Sequence, residues 1–175
     1  MIDIGVDVGK RRLSFGSPMT SQVFSIDLKK PGDRAIELST MSRWVRNVAI
    51  PGFGYSPSEI SLWIEAAYVG TKVLNISTAM GLAETIGVVQ SSAQWGMSEV
   101  IGTSTWKSAA LGNWHADKDF VAKWLEEFYP DLFDICHSQD EIDALCIGIY
   151  GTMRADGRVA APVHKPKKRK KKVVL

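Results

Sequence analysis

Two short runs, IDIGVDV at residues 2–8 and ISLWIEA at residues 60–66, read as strands buried on both faces, yet each carries a carboxylate near its end, Asp7 in one and Glu65 in the other. An ionised side chain among such neighbours costs several kcal/mol unless a cation or hydrogen-bond donors meet it. Glu65 follows Ile60, Leu62, Trp63 and Ile64, and Ala66 and Ala67 come after it without a turn residue. It is therefore either a surface position at a sheet edge or a ligand for a positive charge.

The rest of the chain supplies the elements of an α/β domain with a mixed sheet. GKRR reads as a turn after the first strand, and LSFGS and QVFSIDL as two further strands of a meander. PGDRAIELSTMSRWVRNVA predicts a helix, opened by Pro31 and Asp33, with Ile36, Met41, Trp44, Val45 and Val48 at roughly helical spacing. IPGFGYSPSE reads as a loop. Thr71 to Val89 predicts a second helix whose small residues, Ala79, Gly81, Ala83 and Gly87, suit close packing against another helix. SEVIG reads as a short strand, and DKDFVAKWLEEFY as a helix with Phe120, Val121, Trp124, Leu125 and Phe128 on one side, stopped by Pro130. The last helix, EIDALCIGIYGTMRA, opens with Ser138 and Glu141 in capping-box spacing and is broken by DGR and Pro162.

A length of 175 residues suits one domain, residues 1–158, followed by a basic, flexible tail at 159–175. The stretch KPKKRKKK at 165–172 holds seven of the 21 Lys and Arg, which leaves 14 against 19 acidic residues elsewhere, a body of net charge −5. No apolar run approaches the length needed to cross a bilayer, so no membrane partner is expected. MIDIGVDVGK lacks signal-peptide features, and Cys136 and Cys146 have no CxxC spacing, so neither export nor a disulfide or zinc framework is expected. A reducing, cytoplasmic setting follows.

Asp7 lies near the carboxyl end of its strand between Gly5 and Gly9, and Glu65 near the end of its own. Ligands of α/β sheets bind in the crevice outside those ends, where adjacent strands would bring the two acids together. Asp140 and Asp143, three apart, are neighbours on one helical face, with Ile142, Leu145, Cys146 and Ile149 left to pack on the sheet. Each acid also has a plain reading: Asp7 as a strand end, Glu65 as an exposed edge, Asp140 as a favourable charge at a helix N-terminus. Converging, the four repel one another unless cations neutralise them, and hard oxygen donors favour magnesium or manganese over zinc. Two such ions, roughly 3.5–4 Å apart, activate water and stabilise the leaving oxygen in phosphodiester hydrolysis.

In their order and spacing these motifs resemble the RuvC-type Holliday junction resolvases. IGVDVG is similar to that family's first-strand aspartate motif, WIEAAY to its strand glutamate followed by an aromatic, and DEIDALCIG to its D-x-x-D-A-L helix. GLAETIGVV resembles the family's small-residue helix, and STWKSAALGNWHADK its segment with two active-site lysines, over roughly residues 2–155. The resemblance implies a ribonuclease H-like fold, a mixed central sheet flanked by helices. It also implies a homodimeric endonuclease of DNA recombination and repair that nicks four-way junctions, and other branched DNA, symmetrically. On that basis Asp7, Glu65, Asp140 and Asp143 would bind two Mg2+ or Mn2+ ions, and Lys107 and Lys118 would meet the scissile phosphate. Tyr68 takes the place of the family's base-stacking aromatic, and the helix from Thr71 to Val89 that of its dimer interface. The segment between the two lysines departs from the family pattern, and Trp106 and Trp114 have no counterpart role. A viral or phage version, acting in a bacterial host, is a natural setting for the unusual tail.

Lys118 opens a helix, where a cation meets the unfavourable end of the backbone dipole and a phosphate would relieve it; an exposed lysine is the plain alternative. His137, one turn before Asp140, is either an assisting group or a surface histidine. Lys167, Lys168, Arg169 and Lys170 can bind DNA phosphates by counterion release, although PKKRKKK also resembles a nuclear-import signal for a eukaryotic setting. Two rival functions remain at this level. GVDVG also resembles the phosphate-binding strand of actin- and hexokinase-like phosphotransferases, which need two related domains where this chain has room for one. A non-catalytic branched-DNA binder would use the tail for affinity and the acids for structure.

Overall fold

β1 (Ile2–Val8) lies in the middle of a five-stranded sheet ordered β3-β2-β1-β4-β5; Ile2, Ile4 and Val6 on one face enter a hydrophobic core, and Gly5 on the other lies against the last helix. β2 (Arg12–Ser17) and β3 (Gln22–Asp27) follow it as an antiparallel meander, while β4 (Ile60–Ala66) and β5 (Met97–Gly102) add in parallel on its other side. The sheet is mixed, as the sequence predicts. The structure is a computed structural model that describes residues 1–28, 30, 32–66 and 76–159. Tyr68, the start of the second helix at 71–75, and the tail from residue 160 with Lys167, Lys168, Arg169 and Lys170 lie outside the described residues.

Ile2, Ile4 and Val6 of β1 pack with Leu13, Phe15, Ile60, Leu62 and Ile64 beneath α1 (Arg34–Trp44), α2 (Ile50–Phe53) and α3 (Ile76–Ser91). Asp33 caps α1, accepting from the N–H groups of Ala35 and Ile36 at 2.9 and 3.2 Å. The helix does not stop where the sequence suggests. It widens to a π turn over Val45–Ala49 and resumes as α2, so the expected loop 50–59 is partly helical. Pro51 has no N–H to return to the preceding turn, which accounts for the widening, and Val45, Ala49, Ile50 and Phe53 are buried by it.

Trp63 and Ile101 belong to the second core, with α4 (Thr103–Leu111), α5 (Lys118–Phe128), α6 (Pro130–Phe133) and α7 (Gln139–Ala155). α4 is an element that the sequence pattern does not announce; it buries Trp106 and Leu111 and ends at Gly112 in the left-handed region, φ 68°.

α7 lies directly on β1 and β2. Gly5 and Gly16 are paired across those strands, and a Cβ at Gly5 would stand 2.0 Å from the Ala144 carbonyl oxygen, one at Gly16 2.7 Å from the Leu145 nitrogen. The helix seats its backbone in the space the two missing side chains leave. Its burial differs from the expected one-sided pattern: Ile142, Leu145, Cys146 and Ile149 are buried, but so are Ala144, Ile147, Gly148 and Tyr150. The sheet covers one side, and α4 and α5 cover the other. Ser138 accepts from the Glu141 N–H as in a capping box, but the Glu141 carboxylate takes the His137 N–H, at 2.6 Å, and the Ser25 hydroxyl instead of closing the box.

Candidate active site

Parallel pairing of Val6 with Ile64 puts Asp7 and Glu65 side by side one step further along β1 and β4. By alternation both share the α7 side of the sheet with Gly5 and Trp63. α7 contributes Asp140 and Asp143 from its first turns. The four acids sense one another. The Asp7 carboxyl is raised well above its ordinary range, first by burial and then by the charges of Glu65, Asp143 and Asp140, with Lys118 opposing. Asp143 is raised to about 6, chiefly by burial, against the Gln139 amide that donates to it at 2.9 Å; Glu65 adds repulsion, and Lys107 and Lys118 oppose it. The structure therefore brings six of the expected residues into one electrostatic neighbourhood: Asp7, Glu65, Asp140, Asp143, Lys107 and Lys118.

The lysines reach it from α4 and α5. The Lys107 ammonium donates to the Ala116 carbonyl at 2.7 Å and lies 5.5 Å from the Trp106 ring centre. Lys118 is the first residue of α5, behind the capping residue Asp117. The cation at this helix start, which the sequence left facing an unfavourable dipole, faces acidic side chains. Trp106 is a fully buried core residue, whereas Trp114 is 59% exposed with its ring against His115. His137 is exposed and lines a groove with Ser21, Gln22, Val23 and Phe24 at the β3 edge.

Three of the acids are also engaged by protein donors. Asp140 is ion-paired with Arg12, Glu65 accepts from the Thr103 hydroxyl, and Asp143 accepts from Gln139. Among the described residues, no three His, Cys, Asp or Glu side chains gather closely enough to hold a metal ion. The donor types nevertheless fit a hard divalent cation: all are carboxylate oxygens, and burial together with mutual repulsion at Asp7 and Asp143 is relieved by added positive charge. Nothing in the sequence marks Arg12, Thr103 and Gln139 as partners of these acids. GKRR gave Arg12 only as a turn, and nothing local ties it to an acid 128 positions away.

The fold is shared with solved structures of RuvC from Thermus thermophilus. One, of RuvC in complex with a Holliday junction substrate, has a TM-score of 0.70 at 17% identity and covers 93% of this chain and 99% of that one. Another has a TM-score of 0.68 at 17% identity, covering 93% and 100%. At this identity the likeness is one of fold. No family profile matches the sequence, and no curated protein does.

Proposed function

We propose that the chain is a metal-dependent endonuclease that cuts branched DNA, four-way junctions above all, by symmetric nicking as a homodimer. The observation that carries the reading is that Asp7 and Glu65, side by side at the carboxyl ends of adjacent parallel strands, lie within electrostatic range of Asp140 and Asp143 of α7 and of two lysines, on a RuvC-type fold. Asp7, Glu65, Asp140 and Asp143 would hold one or two Mg2+ or Mn2+ ions, which supply water activation and charge neutralisation in phosphodiester hydrolysis.

The chain's own groups then have separable tasks. Lys107, tethered to the Ala116 carbonyl, and Lys118, at the start of α5, offer positive charge to a phosphate and to the negative charge that grows in its transition state. Trp63, whose indole N–H donates to Asp3 at 2.8 Å, and Gly5 lie on the sheet face that α7 covers. The products would carry 5′-phosphate and 3′-hydroxyl ends. Outside the described residues, Tyr68 is assigned to base stacking at the branch and the basic tail to phosphate anchoring.

One observation favours a second reading, a non-catalytic branched-DNA binder: Asp140 is occupied by Arg12. The two separate on one assay. A labelled mobile four-way junction is incubated with Mg2+ or Mn2+ beside linear, forked and flapped DNA. Paired nicks in the junction, lost in Asp7→Asn while junction retardation on a gel is retained, are the expected outcome. Retardation with no cleavage by the wild type under either metal establishes the binder. Undiminished cleavage by Asp7→Asn rejects this site.

A further inference from the structure

Arg12, at the start of β2, holds two carboxylates at once. One guanidinium nitrogen pairs with Asp140 at the head of α7, and another with Asp27 at the end of β3, 3.0 Å away. The two contacts are unequal. The Asp140 side chain is 19% exposed and that of Asp27 36%, so the Asp140 pair is the less screened by water. The β2–β3 register sets Arg12 directly opposite Asp27, which keeps Asp27 within reach whether or not Asp140 is held. A carboxylate engaged by a guanidinium has its charge matched and lone pairs used, so it serves a metal ion only by giving up the arginine.

We propose that Arg12 is a positioning residue that competes with a divalent cation for Asp140, holding that carboxylate until the cation displaces it and then remaining on Asp27 alone. The inference rests on the reading of the acidic centre as a divalent-ion site. Freeing Asp140 from Arg12 then costs part of the cation's binding energy, which weakens its affinity.

Isothermal titration of MnCl2 into the full-length protein at neutral pH and low salt, without DNA, reads the competition directly. Arg12→Gln is expected to lower the Kd about fivefold, and Arg12→Lys less, by removal of a partly screened ion pair. Asp27→Asn acts in the opposite direction: it leaves Asp140 as the acceptor for Arg12 and raises the Kd about twofold. Thermal melting by circular dichroism identifies any variant that is unfolded at the titration temperature, and the remaining variants carry the test. A purely structural Arg12 lowers melting temperature in Arg12→Gln with no gain in Mn2+ affinity, and that result overturns the proposal, as does Asp27→Asn binding as tightly as the wild type. Absence of any Mn2+ binding by the wild type rejects the ion site itself, whereas normal wild-type binding with no tightening in Arg12→Gln rejects Arg12's role alone.

Discussion

Asp143 makes the folded chain a better proton acceptor than the unfolded one, because its carboxyl rises from the usual 3.8 to about 6 on folding. The penalty of holding it ionised is absent below about pH 3.8, grows as pH rises, and is complete above about 6, where it reaches roughly 2–3 kcal/mol. Asp7, raised for the same reason, adds to the trend. Glu37 works in the other sense: the Gly32 N–H and Arg11 hold it down to about 2, so its stabilisation is present above about 4.5 and lost in acid. The contribution of Asp143 is therefore read as a difference. In EDTA, urea denaturation across pH 4–8 is expected to find Asp143→Asn less stable relative to wild type at pH 4 than at pH 7, with the variant the more stable of the two at pH 7. On the proposed reading, added Mn2+ is expected to reverse that order, because the wild-type carboxylate would then have a cation to meet. Equal pH slopes for the two proteins reject the account.

At the scale of elements, the contact that matters most is α7 on β1 and β2. A Cβ at residue 5 meets backbone on every side, the Ala144 oxygen at 2.0 Å, the Gly148 nitrogen at 2.3 Å and the Ile147 carbonyl carbon at 2.8 Å. None of these atoms yields by a rotamer change, so the helix must lift. Gly5→Ala is expected to cost more than about 2 kcal/mol in urea denaturation and to reduce Mn2+ affinity as well, since Asp140 and Asp143 ride on the helix that moves. Ser138→Ala removes a cap and costs about 1 kcal/mol, with little change in affinity.

The same elements mark what a sequence can and cannot disclose. Asp33 and Ser138 announce their helices because a cap is a local bargain between a side chain and the N–H groups two or three residues on. The strands bearing Asp7 and Glu65 are legible because an acid in a β-branched run is out of place. α4 is not legible: TSTWKSAAL is small and mildly polar, and its helix is set by the burial of Trp106 and Leu111 against distant partners. The full burial of α7 is hidden for a related reason, since its second cover comes from α4 and α5 and leaves no mark in its own periodicity. The engagement of Asp140 by Arg12, of Glu65 by Thr103 and of Glu141 by Ser25 depends on tertiary approach and has no spacing to betray it.

For the whole molecule, charge is divided between an acidic body and a basic terminal segment, seven cations at 165–172 against a net −5 for the remainder. A body of that sign repels DNA at long range, so the proposed anchoring by the terminal segment has a measurable signature. A chain ending at residue 159, which keeps Val159 against the second core, is expected to keep its melting temperature and to bind junctions more weakly. The slope of log affinity against log salt should also become shallower, by up to about six units if all seven cations release counterions. An unchanged slope shows that those residues do not touch phosphate.

α7 closes a circle, laying residues 139–155 against strands formed from residues 2–17. A polypeptide still emerging from the ribosome thus possesses Asp7 and Glu65 long before, and both lysines before, it possesses the segment that brings Asp140 and Asp143 to them. On the proposed reading, premature termination yields fragments harmless to the genome around them, and the power to break DNA arrives only when synthesis of the domain is all but finished.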